Sequence, residues 1–296
     1  MSIELRNVSK HFGQTQALDG VSLTFGGQKI YGLLGNNGAG KSTMLNIITG
    51  RYLADSGEVT LNGAPTFDDD SALGQIYLLS EKNYYPDSMK VKDAIKWASI
   101  FYPNFDVALA GQLAERFGLP LKKKITALST GYASIFKIVM GFSAGTPFLL
   151  LDEPVLGLDA GHRDLFYKLL IERYSENPAT IVISTHLIAE VAGLIEHCII
   201  IKNGRIVKDA PAQDLLEAGY TLSGPGSLLD EYTRGRQVLS QSNLGGLKTA
   251  SLSGKPPNQA ELPQGLEVGK MNLQEYFVEL MNNSTLGGQS EREENV

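Results

Sequence analysis

Residues 35–43 combine glycines with a lysine and two hydroxyl side chains at a spacing that suits phosphate binding. The segment consists of Gly35, Asn36, Asn37, Gly38, Ala39, Gly40, Lys41, Ser42 and Thr43. Its glycines permit positive φ and carry no Cβ, so backbone N–H groups can point at phosphate oxygens. Lys41 is expected to bind the β and γ phosphates, and the Ser42 hydroxyl to ligate magnesium. The segment therefore predicts a nucleoside triphosphate site.

The flanking segments have the patterns needed to position this loop. Residues 29–34 are mostly apolar, as in a short buried strand, and residues 44–48 have the apolar spacing of a helix. A helix that begins near Lys41 adds free amides and the positive end of its dipole to the phosphate site. The sequence thus predicts a strand, a phosphate loop and a helix in succession.

Two carboxylates, Asp152 and Glu153, follow the four apolar residues 148–151. Such a run is typical of a parallel strand that is buried on both faces, and ligands bind at the carboxyl ends of such strands. Asp152 is predicted to orient magnesium and Glu153 to face the γ phosphate.

His186 lies just beyond another apolar strand, residues 180–184. Its position predicts a hydrogen bond to the γ phosphate that holds the attacking water in line. His11, His162 and His197 lack such a setting and are interpreted as surface or packing residues.

Ser129 and Gly131 open a predicted helix, and three lysines, residues 122–124, precede them. Alone, this pentapeptide 128–132 fits a simple helix N-cap. Its place about twenty residues before the acidic strand favours a functional role.

Phe12, beside a glycine, is predicted to stack on a purine base, with a plain core position as the alternative.

The composition excludes some classes of protein. The chain has 296 residues, 43% of them hydrophobic, and a net charge of −6, so it lacks the basic excess of nucleic-acid binders. The single cysteine, Cys198, lies in an apolar run and is predicted to be a buried thiol. We expect neither a signal segment nor a membrane span, because no run of about eighteen apolar residues occurs.

The remaining patterns predict an α/β fold. Alternating runs at 3–8 and 20–25 predict an antiparallel edge sheet. Residues 56–63 predict a strand closed by an Asn-Gly turn, and helical spacing prevails over 84–145. We predict a main domain over 1–215, a small α/β appendage over 216–283 and a disordered tail over 284–296. The appendage would have a dimerisation or regulatory role, with passive packing as the alternative.

Five motifs follow one another along the chain. They are the phosphate loop, residues 128–132, Asp152 with Glu153, residues 157–160, and Thr185 with His186. Their order and separations resemble those of the nucleotide-binding subunit of an ABC transporter. The resemblance covers roughly residues 1–215. It implies a P-loop NTPase fold of the ABC type, with a mostly parallel core sheet, an antiparallel edge sheet and a helical subdomain over 84–145.

The resemblance also implies how the site works. Two chains would form a head-to-tail dimer around two ATP molecules with Mg²⁺. Phe12 would stack on adenine, Ser129 and Gly131 would contact the γ phosphate in trans, and Asp159 would link the two sites. Glu153 would be the general base, and His186 the switch histidine.

The implied partners are a second ATPase subunit and a separate transmembrane permease. The second subunit would be an identical chain, or a different one in a heterodimer. The protein would lie at the cytoplasmic face of the cell membrane, and no nucleic acid is expected.

Two positions depart from the family pattern. The signature usually reads Leu-Ser-Gly-Gly-Gln, and here Thr130 and Tyr132 replace its third and fifth residues. The glutamine that usually ligates magnesium is replaced by Ser80, with Glu81 adjacent. Either the Ser80 hydroxyl or the harder Glu81 oxygen would then serve as the ligand.

Residues 79–86 and 101–106 are similar to bacterial exporter ATPases for antimicrobial or toxin peptides and drugs. Tyr84 and Tyr85 are predicted to line a groove for a helix of the membrane partner, with a core role for one of them as the alternative. The predicted function is therefore the ATPase subunit of a bacterial ABC exporter. The alternatives are a soluble ABC ATPase acting on ribosomes or DNA, and a regulatory ATP-binding module that is not coupled to transport.

Overall fold

The computed structural model describes residues 1–236 and 238–286, except for the side chains of 279 and 282–286. The described chain divides into two compact units. The first comprises Met1–His186 with Ile199–Asp209, and the second comprises Leu187–Cys198 with the chain from Ala210 onward.

The strands up to residue 211 are, in chain order, β1 (Ser2–Phe12), β2 (Thr15–Gly26), β3 (Ile30–Leu34), β4 (Ser56–Leu61), β5 (Ala64–Pro65), β6 (Ile76–Leu79), β7 (Phe148–Asp152), β8 (Thr180–Thr185), β9 (His197–Lys202) and β10 (Arg205–Pro211). The helices of the same part are α1 (Lys41–Ile48), α2 (Asp70–Leu73), α3 (Val91–Phe101), α4 (Val107–Arg116), α5 (Thr130–Ser143), α6 (Ala160–Glu176) and α7 (Ile188–Val191). A 3₁₀ helix occupies Ile125–Ala127.

The strands form two sheets. The antiparallel sheet has the order β2-β1-β4-β5, and the core sheet has the order β10-β9-β3-β8-β7-β6. Within the core sheet, β3 pairs with β8, β8 with β7 and β7 with β6, all in parallel. Every residue of β3, β7 and β8 is buried, which explains why these strands read as apolar runs. The predicted edge sheet and mostly parallel core are confirmed.

The helical segment between β6 and β7 also matches its pattern. α3 and α4 bury residues three and four apart along one face, and α5 buries most of its second half. Phe117, Phe136 and Phe142 are the large, fully buried side chains of this segment.

The second unit continues with α8 (Ala212–Glu217), β11 (Gly219–Pro225), α9 (Gly226–Thr233), β12 (Val238–Leu244), β13 (Leu247–Ser253), β14 (Glu267–Lys270) and α10 (Leu273–Leu286), with a 3₁₀ helix at Gln259–Glu261. Its sheet has the order β12-β13-β11-β14, and its neighbouring strands are antiparallel. Because β13 lies between β11 and β12, the crossover through α9 is a split βαβ unit. A separate core that includes Tyr220, Leu222, Leu229 and Leu252 supports it.

Two boundaries differ from the sequence prediction. The second unit begins at Ala210 rather than after residue 215, and it also takes Leu187–Cys198, because α10 packs against both α7 and α8. The tail was predicted to be disordered from residue 284, but α10 continues to Leu286. The rest of that tail, 287–296, lies outside the described residues. Cys198 is buried, as predicted.

Candidate nucleotide site

The carboxyl ends of β3, β7 and β8 bring the predicted phosphate and metal groups to one edge of the core sheet. A cavity of about 380 Å³ opens there. Its lining includes Asn37, Gly38, Gly40, Lys41, Ser42, Thr43, Glu81, Glu153, Leu156 and His186, together with Thr15 and Ala17 of β2. The sheet topology thus assembles groups that lie up to 171 positions apart in the chain, from Thr15 to His186.

The loop glycines are required for two different reasons. Gly40, the N-cap of α1, has φ 112°, and a Cβ there would lie 2.5 Å from the carbonyl oxygen of Ala17. Gly38 also has a positive φ, 81°. Gly35 does not, so the expectation of a positive φ there is wrong. It is needed for space, because a Cβ would lie 2.6 Å from the carbonyl oxygen of Ile201.

Lys41 is buried and directed along the loop. Its Nζ donates to the carbonyl oxygens of Gly35 at 2.6 Å and Asn36 at 3.3 Å, and lies 3.8 Å from Oε1 of Glu153. Burial lowers the pKa of Lys41, and the charges of Glu153 and Asp152 oppose that shift. The ammonium is therefore held at the mouth of the amide loop, where phosphate oxygens would replace the carbonyl acceptors.

Asp152 is buried at the end of β7, and its Oδ1 accepts a hydrogen bond of 2.9 Å from the Ser184 hydroxyl. Burial raises the pKa of Asp152, while hydrogen bonds from Ser42 and Ser184 act in the opposite direction. Asp152 and Ser42 thus lie close enough to share a hydrogen bond. A carboxylate beside a hydroxyl is a donor set that suits Mg²⁺, which takes one or two protein oxygens together with phosphate oxygens and waters. Accordingly, residues 1–236 and 238–286 contain no cluster of three or more His, Cys, Asp or Glu side chains that would form an all-protein metal cage.

Glu153 lies just beyond β7 in a left-handed backbone conformation, with φ 47°. Such a conformation costs about 1 kcal/mol or more for a non-glycine residue. Its N–H donates to the carbonyl oxygen of Ser184 at 2.8 Å. Its Oε1 lies 2.9 Å from Nδ1 of His186, and its Oε2 accepts a hydrogen bond of 3.2 Å from the Thr185 hydroxyl. The strained turn and these contacts hold the carboxylate over the phosphate loop.

Of the two candidate magnesium ligands, Ser80 and Glu81, only Glu81 lines the nucleotide cavity. The Ser80 hydroxyl is buried and accepts a hydrogen bond of 2.9 Å from Arg51, so it is engaged away from the nucleotide cavity. Glu81 lines that cavity instead. Because β6 ends beside β7, the chain delivers Glu81 to the same sheet edge as Asp152. The structure therefore does not bring Ser80, predicted as a metal ligand, to the site.

Phe12, Ser129, Gly131 and Asp159 lie outside the cavity lining. Phe12 ends β1, is 46% exposed and packs edge-on against Tyr52, with 5.5 Å between ring centroids. This is an open ring rather than the plain core position that was the alternative.

Ser129 and Gly131 lie at the start of α5, where the Ser129 hydroxyl caps the helix by accepting from the N–H of Tyr132 at 3.4 Å. Gly131 is close to the loop after β7, since a Cβ on it would lie 2.9 Å from the carbonyl oxygen of Gly157. The signature segment therefore packs on the loop that follows Glu153.

Asp159 caps α6, and its second carboxylate oxygen lies 2.8 Å from Nδ1 of His162. Hydrogen bonds from the His162 backbone and ring lower the pKa of Asp159. The imidazole also stacks on the buried ring of Phe117, at 6.1 Å between centroids. This stacking agrees with the sequence interpretation of His162 as a surface or packing residue, whereas the contact of its ring with Asp159 was not predicted. An Asp N-cap followed three positions later by a histidine was the available signal.

A second, apolar cavity of about 840 Å³ lies beside the helical segment. Its lining includes Tyr77, Tyr85, Met89, Trp97, Phe101 and Met140. Tyr85 lines this groove, and its ring also packs on the buried ring of Phe136 at 5.1 Å between centroids. Tyr85 thus combines the predicted groove position with the core role that was the alternative, and a partner helix in the groove stays a prediction. Tyr84 does not line this groove; its ring lies under the guanidinium of Arg51, at 4.5 Å.

Known proteins share both the sequence and the fold of this chain. The family model described as ABC transporter matches residues 18–156. The ABC transporter ATP-binding protein YtrB of Bacillus subtilis is 35% identical over 189 residues, which cover 64% of this chain and 65% of that protein. The petrobactin import ATP-binding protein YclP of the same organism is 30% identical over 230 residues, which cover 73% of this chain and 89% of that protein.

The fold matches a solved ATP-binding subunit of an ABC transporter with a TM-score of 0.65 at 23% identity, over 73% of this chain and 92% of the other. Fold and phosphate loop together define a P-loop nucleoside triphosphatase. The chain belongs to the ABC transporter family as an ATP-binding subunit, and its enzyme class is that of the ATP hydrolases. The predicted ABC-type fold is confirmed.

Proposed function

We propose that this chain hydrolyses ATP in a head-to-tail dimer and thereby drives a separate transmembrane subunit. The observation that carries the proposal is the meeting of Lys41, Glu153 and His186 in one cavity, with the Ser129 signature outside it. One chain thus supplies the phosphate-binding and proton-accepting groups of its own site. Its signature segment, residues 128–132, would contact the nucleotide bound by a second chain.

Hydrolysis requires a water in line with the γ phosphorus. Glu153 accepts the proton of this water as its oxygen bonds to phosphorus, and the bond from the γ phosphorus to the bridging oxygen breaks to release ADP. His186, 39% exposed and within hydrogen-bond distance of Glu153, orients the γ phosphate and the water. Lys41 and the loop amides stabilise the charge that develops on the phosphoryl oxygens.

Ser42, Asp152 and Glu81 are the residues that would hold Mg²⁺ beside the nucleotide. When bound, the ion neutralises charge on the β and γ phosphates and polarises the bond that breaks. The Ser42 hydroxyl acts to lower the pKa of the Asp152 carboxyl, and Ser42 and Glu81 line the same cavity.

A second ATPase subunit would complete each site. Ser129 and Gly131 begin a helix, and their backbone N–H groups are available for an anion that another chain presents. Phe12 provides an exposed ring for the adenine base at the border of the site. Asp159 would transmit the state of one site to the other, since it caps α6 a few residues after Glu153. We propose a dimer of identical chains, with a heterodimer as the alternative.

The apolar cavity is the proposed docking site for a helical segment of the membrane subunit. Trp97, Ile100 and Phe101 leave 51%, 63% and 70% of their surfaces exposed along α3. Apolar exposure of this extent around a groove marks an interaction surface. Within residues 1–236 and 238–286, no helix combines the length and apolarity needed to span a bilayer. We therefore propose that the chain lies at the cytoplasmic face of the membrane through this docking.

The segment 80–86 connects the two cavities. Glu81 lines the nucleotide cavity, and Tyr85 and Pro86 line the apolar cavity. Arg51, just after α1, donates to Ser80 and covers the ring of Tyr84, so it ties two positions of this segment to the end of the phosphate-loop helix. A nucleotide-driven movement of α1 would thereby reach the docking site.

Export of an antimicrobial or toxin peptide, or of a drug, is the proposed direction and cargo, on the basis of residues 79–86 and 101–106. Among the relatives, YclP is named for import of petrobactin, so the direction is open to a direct test. Reconstitution with the membrane subunit in inverted vesicles would reveal ATP-dependent uptake for an exporter and none for an importer.

The test of the ATPase proposal is steady-state, Mg²⁺-dependent phosphate release by the purified chain with its membrane subunit. Wild type is expected to turn over, and Lys41→Ala to lose turnover. Phe101→Glu should retain ATP binding but lose recovery with the membrane subunit after detergent extraction. Binding of ATP by wild type without any turnover would instead identify a regulatory module.

A further inference from the structure

We propose that a lysine surface on the helical segment binds the anionic headgroups of the membrane in which the partner subunit lies; this rests on the proposed function. The surface consists of Lys90, Lys92, Lys96, Lys122, Lys123 and Lys124. Lys90 is the N-cap of α3, Lys92 and Lys96 lie within that helix, and the other three lie in the loop before the 3₁₀ helix.

Backbone contacts hold these two segments side by side although about 30 residues separate them in sequence. Lys90 and Lys124 form an isolated antiparallel bridge. The N–H of Val91 donates to the carbonyl oxygen of Lys123 at 3.1 Å, and the N–H of Lys92 donates to that of Leu121 at 3.0 Å. The clustering of the lysines is therefore fixed by the fold.

Within the described part of the chain, no carboxylate lies within ion-pair distance of these lysines. The six side chains are exposed, and none of them forms an ion pair with a residue of 1–236 or 238–286. Asp87 and Asp93 are close in sequence, but neither lies within ion-pair distance of these lysines. Concentrating six cations in a chain whose net charge is −6 leaves a local field that attracts an anionic partner.

The position of the surface points to a bilayer. α3 carries Lys92 and Lys96 as well as Trp97 and Phe101, which line the proposed docking cavity. A membrane protein seated in that cavity brings α3 toward the bilayer. Lysines beside exposed aromatic rings are the combination found where proteins meet lipid headgroups.

The geometry favours lipid over an acidic protein segment. The lysines belong to two segments and end in flexible ammonium groups, and none of them lines the nucleotide cavity or the apolar cavity. Such a surface matches a diffuse layer of negative charge better than one directed carboxylate. Each lysine close to an anionic membrane contributes roughly a fivefold gain in affinity, which weakens with salt.

The test is cosedimentation of the purified full chain with vesicles. Wild type is expected to bind phosphatidylcholine vesicles that contain phosphatidylserine, to bind pure phosphatidylcholine poorly, and to dissociate at high salt. Replacing Lys122, Lys123 and Lys124 with Gln should lower the affinity roughly 10²-fold, the product of three such contributions. The matched control replaces Lys168, Lys255 and Lys270, which are exposed elsewhere, and should bind as wild type does.

ATP binding, measured on the same samples, checks that each variant is folded. Absence of binding to phosphatidylserine, equal binding to both kinds of vesicle, or equal losses in the two triple variants would overturn the lysine surface. Failure of ATP turnover or of membrane-subunit recovery, with phosphatidylserine binding intact, would instead overturn the proposed function. An acidic peptide that binds the wild type while vesicles do not would assign the surface to a protein partner and refute the lipid proposal.

Discussion

Nδ1 of His186 lies 2.9 Å from Oε1 of Glu153, at the ends of two neighbouring parallel strands. The Thr185 hydroxyl binds the other oxygen of the same carboxylate at 3.2 Å. The proposed base thus has a fixed orientation relative to the histidine that would contact the γ phosphate.

Glu153→Gln is expected to retain ATP binding and to lower the rate of hydrolysis by roughly 10² or more, the usual contribution of a general base. Glutamine keeps the shape of the side chain and an oxygen acceptor for Thr185. Nucleotide affinity and steady-state phosphate release separate the two effects. Normal turnover in this variant would remove Glu153 from the proposed role.

The buried carboxylate of Asp152 predicts a pH dependence of stability. Because burial raises its pKa, the folded chain holds this proton more tightly than the unfolded chain does. The contribution of Asp152 to stability is therefore fully present below the unfolded-state pKa and is lost as the pH rises through the folded-state value.

The comparison is with Asp152→Asn, which keeps an oxygen acceptor for Ser184. As the pH rises, the wild type is expected to lose stability relative to this variant. The free energy of unfolding of the wild type minus that of the variant should therefore decrease. Urea titrations across a pH series measure it. A difference that grows with pH would contradict the raised pKa.

Replacing Ser80 and replacing Glu81 are expected to have different effects on the Mg²⁺ concentration that hydrolysis requires. Ser80→Ala removes a hydroxyl that is bonded to Arg51, so the Mg²⁺ concentration for half-maximal hydrolysis should stay near the wild-type value. Glu81→Gln removes the carboxylate that faces the nucleotide cavity and should raise that concentration about tenfold or more, as loss of a metal-orienting group does. Calorimetric titration of ATP with and without Mg²⁺ checks the same point without turnover. The reverse ranking of the two variants would restore Ser80 as the ligand.

Arg51 gives a prediction about coupling between the two cavities. Its hydrogen bond to Ser80 and its stacking on Tyr84 are lost in Arg51→Ala, whereas Arg51→Lys keeps only the charge. Hydrolysis by the isolated subunit should change less than twofold, while stimulation by the membrane subunit should fall several-fold in both variants. Arg116→Ala, which removes an exposed arginine that pairs with Glu172 instead, is the control. Unchanged stimulation in Arg51→Ala would refute the proposed connection.

The side chains at the carboxyl ends of the core strands were predictable from sequence, because each of them follows a local run of apolar residues. Apolar runs followed by Asp152 or by His186 identify buried parallel strands, and topology then places their carboxyl ends together. Likewise, the helical spacing over 84–145 correctly predicted the segment that contains α3, α4 and α5.

Contacts between distant segments were not predictable in this way. Nothing local in the sequence links Arg51 with Ser80, or Lys90 with Lys124, because both pairs depend on how the helical segment returns to the sheet. The strand β11 and the helix α9 were also missed, since their apolar patterns are short and Gly224, Pro225 and Gly226 at their junction resemble a turn.

Complementation between two inactive variants tests the shared site most directly. Lys41→Ala and Ser129→Ala chains are prepared separately and mixed in equal amounts, and ATP hydrolysis is measured against protein concentration. If Ser129 acts in trans, each mixed dimer contains one intact site, and the mixture should recover about a quarter of wild-type activity by mass action. Activity no higher than that of the two variants alone, under conditions in which wild type turns over, would contradict the head-to-tail arrangement.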